Sequence, residues 1–207
     1  MSTREERRLQ LLEVAREVVL RHGYRKANLG DVAREAGVSR ATVYNYFSSK
    51  ELLLRAIVSQ EVQRLNVAVA RDLDLSAPPH LQLLSYVRAR ARHIRAIKDF
   101  YDLAHNVTRD VLHIVQDEIE EQQAQERAYL VALFRAGVDQ GLFHPVDPHL
   151  LGAALQSALR GLYEDYVFDS EDERGEGAEL LIRALLQGLL REPDPLVFPG
   201  TDPLEHP

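Results

Sequence analysis

The chain has 207 residues, 45% of them hydrophobic and 28% charged, with no cysteine and a formal net charge of −7. That length and balance predict one globular domain or two small ones and exclude a disordered or fibrous chain. Without cysteine there is no disulfide scaffold, thiolate metal site or Cys nucleophile, and with neither an apolar leader after Met1 nor 18 uninterrupted apolar residues, the expectation is a cytoplasmic protein with no membrane partner.

The charge is unevenly spread. Residues 1–59 carry a net +4 and residues 60–207 a net −11. A basic start on an acidic remainder is the asymmetry expected where one part of a chain meets a polyanion.

The first predicted helix covers residues 4–22, with Leu9, Leu12, Ala15 and Val19 at helical spacing, and Gly23 stops it. Asn28 caps the second, Asp31 stands where a capping-box acid reaches back, and Gly37 ends it after two turns. Ser39 caps a third helix over 40–46, and Ser48–Ser49 opens a fourth that runs to about Ala70. A breaker at Asp74–Pro79 precedes helical pattern from about His80 to Ile97. Residues 99–105 read as a separate short piece or a continuation. A long helix follows, about 107–140, closed by Gly141. Two more, 149–167 and 175–191, are split by an acidic loop over 169–176. Residues 193–207 hold five prolines and read as an extended or disordered tail. The pattern predicts an all-α chain of about nine helices with no strand.

Two very short helices joined by Gly37-Val38-Ser39 form a helix-turn-helix pattern. Val32, Ala33 and Val38 make a small core that fixes the angle between them, and Val43 and Phe47 bury the inner face of the second. That leaves Arg40, Ala41, Thr42, Tyr44 and Asn45 at its outer face and start. A helix entering the major groove needs small and hydrogen-bonding groups at that end. Arg40 suits a guanine edge, Thr42 offers a methyl or a hydroxyl, and Asn45 reaches adenine or phosphate. Tyr44 and Lys50 are placed for phosphate, and Asn28 and Ser39 stand at helix N-termini, where backbone amides favour it too.

Residues 12–55 resemble the DNA-binding domain of the tetracycline-repressor (TetR) family. The likeness rests on Gly23-Tyr24, Asn28-Leu29-Gly30-Asp31-Val32-Ala33, Ala36-Gly37-Val38-Ser39, Val43-Tyr44, Phe47 and Lys50-Glu51-Leu52, in order and spacing. The resemblance implies that Asn28, Ser39, Arg40, Ala41, Thr42, Tyr44, Asn45 and Lys50 contact double-stranded DNA. Two departures bear on the operator sequence: Tyr46 stands where the family often has His, and Asn28 where it usually has Thr or Ser. The resemblance further implies a DNA-binding domain over 1–50, with the helix at about 50–70 as connector. Residues 51–192 would then be a helical ligand-binding and dimerisation domain, ahead of the Pro-rich tail 193–207. A homodimeric regulator, usually a repressor, released from a palindromic operator by a small molecule is the expected whole.

Within the second part, the helix at 149–167 carries Leu151, Leu155, Ala158, Leu159 and Leu162, and the last helix carries Leu181, Ala184, Leu185 and Gly188. Two such helices from each subunit suit a four-helix interface, although each must also fill the monomer core. Arg88, Arg92 and Arg95 share one helix side, and Tyr86, Phe100, Tyr101, Tyr129 and Phe134 supply aromatic surface. An aromatic or acyl effector with an acidic head fits such a set; a solvated basic face above a core of aromatics fits it as well.

Asp102 with His105, and His113 with Asp117, share helix faces, but neither forms a dense ligand motif, so neither a metal nor a cofactor is expected. No phosphate loop, GxSxG or HExxH occurs, so an enzyme is not expected. Two rival readings stay open: a DNA-binding regulator controlled by a protein partner without a small molecule, and a metal-dependent all-helical enzyme.

Overall fold

The structure, a computed structural model, describes residues 3–94, 109–164 and 171–198. Eight helices make up the described residues: α1 (Arg4–His22), α2 (Leu29–Glu35), α3 (Arg40–Tyr44), α4 (Lys50–Arg71), α5 (Pro79–Ile94), α6 (Arg109–Asp139), α7 (Pro148–Glu164) and α8 (Glu171–Leu189). The all-α class expected from the sequence is what the chain adopts. Among the described residues the only β feature is an isolated bridge between Phe143 and Leu190. The predicted short piece at 99–105 lies outside the described residues.

The chain forms two compact units, which divide near residues 64 and 122. The first holds α1–α3, the start of α4 and the start of α6; the second holds the rest of α4 and α6 with α5, α7 and α8.

Local chemistry sets the boundaries in the first unit. Thr3 caps α1, its hydroxyl accepting from Glu6 N at 3.1 Å while the Glu6 carboxylate accepts from Thr3 N at 2.8 Å. The buried stripe of α1 is Leu11, Leu12, Ala15, Val18 and Val19, whereas Leu9 is exposed. The expected stripe through Leu9 was thus wrong at its first turn, where Leu11 faces the core instead. Gly23 (φ +75°) and Gly37 (φ +65°) take the left-handed backbone that ends α1 and turns α2 into α3. Asn28 caps α2 as expected, Oδ1 accepting from Gly30 N at 2.8 Å and Asp31 N at 3.0 Å. Ser39 caps α3 by accepting from Thr42 N at 3.1 Å.

One core joins these helices. It contains Leu12, Val32, Val43, Phe47 and Ile57, together with Val115 of α6. Ion pairs tie the helices above it. Arg55 donates to Asp117 and Glu118, each at 2.7 Å, fastening α6 to α4. The buried Glu61 carboxylate meets Arg16 at 3.1 Å and Arg64 at 2.9 Å, fastening α4 to α1.

In the second unit α5 packs on α8 and α8 on α7, around Leu83, Val87, Phe134, Phe143, Leu159, Ile182 and Leu186. The Phe134 and Phe143 rings stand 6.3 Å apart at 50°. A Cβ on Gly137 would stand 2.1 Å from the Phe143 ring, so only glycine permits that approach. α8 begins at Glu171, earlier than its apolar pattern suggested. Its acidic start, read as loop, is a favourable first turn because carboxylates oppose the positive end of the helix dipole. The predicted tail also departs from expectation where it is described, since residues 193–198 are folded onto the unit. Val197 is fully buried, Asp194 accepts from Leu196 N at 2.8 Å, and His80 Nε2 meets the Asp194 carboxylate at 2.6 Å.

Candidate nucleic-acid interface

The outer face of α3 is built by what its inner face buries. Val43 (0% exposed) and Phe47 (3%) point into the core, and α3's short turn then leaves Arg40, Ala41, Tyr44 and Asn45 in solvent. Tyr44 is 52% exposed, unusual for so large a ring unless it has something to touch. Thr42 is half-buried, its hydroxyl 2.9 Å from that of Ser39. Arg40, Tyr44 and Asn45 together present guanidinium, phenol and amide groups, the types that bond base edges and phosphates.

Two of the expected DNA contacts carry structural duties as well. Asn28 spends Oδ1 on two backbone amides, and its amide nitrogen donates to Asp31 at 2.6 Å. Lys50 Nζ donates to the Arg25 carbonyl at 3.1 Å and stands 4.3 Å from the centre of the Tyr24 ring. Burial holds its ammonium below the usual lysine value, against the opposing pull of Glu51. Lys50 therefore pins the turn between α1 and α2 and keeps that turn's exposed Arg25 and Lys26 beside the α2 N-terminus. No spacing rule could have linked Lys50 to Arg25, because the contact joins residues 25 positions apart.

The expected effector residues of the second unit fall into different surroundings. Tyr86 is buried and donates to Glu126 Oε1 at 2.7 Å, and burial pushes its phenol far above the ordinary value, so it stays protonated. The Tyr129 ring lies 5.2 Å from that of Tyr86, and its buried hydroxyl has no hydrogen-bond partner among the described residues. Phe134 is a core residue against Phe143. Arg88 donates to both oxygens of Glu179, at 2.6 and 3.2 Å, and Arg92, largely exposed, meets Asp72 at 3.1 Å. Phe100 and Tyr101 lie outside the described residues, as do Arg95, Asp102 and His105. His113 is exposed, while Asp117 is held by Arg55. Among the described residues no three acids or histidines converge on a metal position.

Sequence reasoning missed the cluster around Glu126. This buried carboxylate also lies 2.9 Å from Arg90 Nε and accepts from Gln156 at 3.2 Å. Each partner lies 30 or more residues from Glu126, so no local pattern joins them to it.

The Glu179 carboxyl is held below its ordinary value of 4.5, first by the Arg88 hydrogen bonds and then by Arg183. A carboxylate depressed in the folded state stabilises above its unfolded pKa and loses that contribution as pH falls through the folded one. Arg88→Ala should therefore reduce the loss of stability between about pH 5 and pH 3. Denaturant melts of both chains across that range check this; parallel pH curves would refute it.

Of the expected interface residues, Leu155 (3% exposed) and Leu159 (1%) fill the unit's own core. Leu151, Ala158, Leu162, Leu181 and Leu185 are half-buried, and Ala184 and Gly188 are exposed. Leu180 (70% exposed) lies one turn from Ala184 and two from Gly188 on the same side of α8, and Leu150 on α7 is 71% exposed.

Residues 11–57 match the family described as bacterial regulatory proteins, tetR family. The chain is 27% identical over 196 residues to the uncharacterized HTH-type transcriptional regulator YfiR of Bacillus subtilis, covering 89% of this chain and 94% of that protein. It is also similar to a solved TetR/AcrR-family transcriptional regulator from Thermobifida fusca, with TM-score 0.71, 27% identity, and 88% and 98% of the two chains covered. The TetR-family regulator PfmR from Thermus thermophilus aligns with TM-score 0.65 and 26% identity over 92% of this chain and all of that one.

Proposed function

We infer, from the premise that this chain is a TetR-family transcriptional regulator, that it binds a palindromic operator as a homodimer in the cytoplasm and represses until a small molecule releases it. The observation that carries the DNA surface is the split of α3, with Val43 and Phe47 buried and Arg40, Tyr44 and Asn45 in solvent. In this reading Arg40 and Asn45 read bases, while Ser39, Ala41, Thr42, Tyr44 and Lys50 approach phosphate or methyl groups, and Asn28 holds the α2 N-terminus to the backbone.

The exposed apolar side of α7 and α8, including Leu150, Leu180, Ala184 and Gly188, supports a second copy as its cover. Two-fold symmetry then sets the two copies of α3 about 34–36 Å apart, one turn of DNA. The effector occupies the second unit, where the Tyr129 hydroxyl, buried and without a hydrogen-bond partner among the described residues, supports a ligand that carries a hydrogen-bonding group on an aromatic or acyl body. Release requires the ligand to prefer the conformer that does not bind DNA, with a typical coupling of ~1–3 kcal/mol. Helix α4, shared by both units, is the proposed route.

A second reading, control by a protein partner alone, is favoured by the packing of Phe134 and by the acids already paired with Arg88 and Arg92.

Selection of genomic fragments by the purified chain tests the DNA assignment. Recovery of an inverted repeat is expected; recovery of random fragments would refute it. Lys50→Ala should weaken preferred and random DNA alike and lower the salt slope by about one. Loss confined to the preferred sequence would place Lys50 against a base.

A further inference from the structure

The second residue of α2 is a glycine, and its place is filled from across the turn. A Cβ built on Gly30 would stand 2.9 Å from both Nε and Nη2 of Arg40, and 2.9 Å from Asn28 Oδ1. Carbon at rest against such atoms keeps about 3.5 Å, so the Arg40 guanidinium occupies the notch that the missing side chain leaves. The backbone does not call for glycine there, because Gly30 is not among the positive-φ glycines. Glycine is also among the poorest helix formers, so the position costs α2 something that alanine would not. Close approach by another group is the remaining physical reason for a bare Cα.

Two groups approach: Asn28 Oδ1, the cap of α2 itself, and, from across the turn, the first residue of α3, on the surface already assigned to DNA. Arg40 is exposed and has no hydrogen bond or ion pair among the described residues, so its N–H donors stay unspent. The neighbouring Asp31 does not claim them, since Asn28 and Arg34 already hold its carboxylate. A guanidinium reads guanine through two parallel hydrogen bonds, and that fork works only when its plane is aimed. A free arginine side chain samples many rotamers; one resting against a helix backbone samples fewer.

We propose, on the DNA-binding reading above, that Gly30 is a specificity-determining residue: its bare Cα seats the Arg40 guanidinium over the first turn of α2 and aims it at one base pair. Gly30 touches no base itself. It acts through Arg40 and is a positioning residue.

The test is a double-mutant cycle with the full chain. Preferred DNA is selected with the unaltered protein, and affinities are measured for that sequence and for versions changed at each base pair. Arg40→Ala identifies the pair it reads by losing the preference there. Gly30→Ala should lower the preference at that same pair by about 5- to 10-fold, within the range of one bidentate contact, and leave the other pairs alone. On the Arg40→Ala background, Gly30→Ala should change no base preference by more than about 2-fold, the signature of two residues acting as one. An equal effect of Gly30→Ala on both backgrounds would show a merely structural role and overturn the proposal. So would an intact preference in Gly30→Ala, or an Arg40→Ala variant that loses affinity without losing preference. If the unaltered chain shows no sequence preference at all, the DNA-binding reading falls together with this one; a recovered operator with an indifferent Gly30 overturns this one alone.

Discussion

Phe47→Ala is expected to cost the first unit about 3–5 kcal/mol and to abolish DNA binding with it. Phe47 is 3% exposed and closes the turn after α3, its amide bonded to the Val43 carbonyl at 2.9 Å. Its ring packs in the core that also holds Val43 and Val32, and the Arg8 guanidinium covers it at 5.8 Å. Alanine would leave a void under the helix that presents Arg40 and Asn45. Domains are stable by only about 5–15 kcal/mol, so the loss is a large part of the whole. Phe47→Leu, which keeps most of the volume, should cost under about 1.5 kcal/mol and retain binding. Urea melts followed by circular dichroism, with DNA titrations on the same samples, separate the two. Unchanged stability in Phe47→Ala would remove Phe47 from the core and undo the orientation of α3.

Glu126→Ala is the second large effect, expected at about 3–5 kcal/mol in the other unit. The carboxylate is 5% exposed and serves Arg90, the Tyr86 hydroxyl and Gln156 at once. Removing it takes an opposite charge from the buried Arg90 guanidinium and the acceptor from the buried Tyr86 phenol, and that desolvation cost outweighs the modest net gain that any single hydrogen bond gives. Tyr86→Phe deletes one donor and leaves the charge pair, so about 0.5–1.5 kcal/mol is expected. Melting both variants checks the order; a Tyr86→Phe loss equal to that of Glu126→Ala would show that the ring hydroxyl, not the charge pair, governs the cluster.

What the sequence disclosed and what it hid divide by range. Caps at Asn28 and Ser39, stops at Gly23 and Gly37, and the burial of Val43 and Phe47 are decided within a turn or two, so residue type and spacing suffice. The all-helical class is the sum of such decisions. The stripe of α1 was misjudged at its start, where Leu9 and Leu11 are both apolar on different sides of the helix, and only the partners of α1 choose between them. Residues 193–198 looked like part of an unstructured tail because proline is dense there; the clasp that docks them joins His80 to Asp194, 114 residues apart. Gly30 reads as a weak helix residue until Arg40 is placed beside it. In the second unit, spacing could not separate Phe134, a core filler, from Tyr129, a ring whose hydroxyl has no hydrogen-bond partner among the described residues.

The first unit is discontinuous, and this bears on how a ribosome must deliver it. Its opening residues up to 64 emerge well before residues 109–122, which bring Val115 and both acids that Arg55 binds. At ~5–20 residues per second the wait is roughly 3–12 s. During that interval the nascent helix-turn-helix has a gap in its core and an unmatched cation on α4, so it reaches the tunnel exit as an unfinished body. Synthesis order thus delays completion of the first unit's core until residues 65–95 of the second unit have already been made.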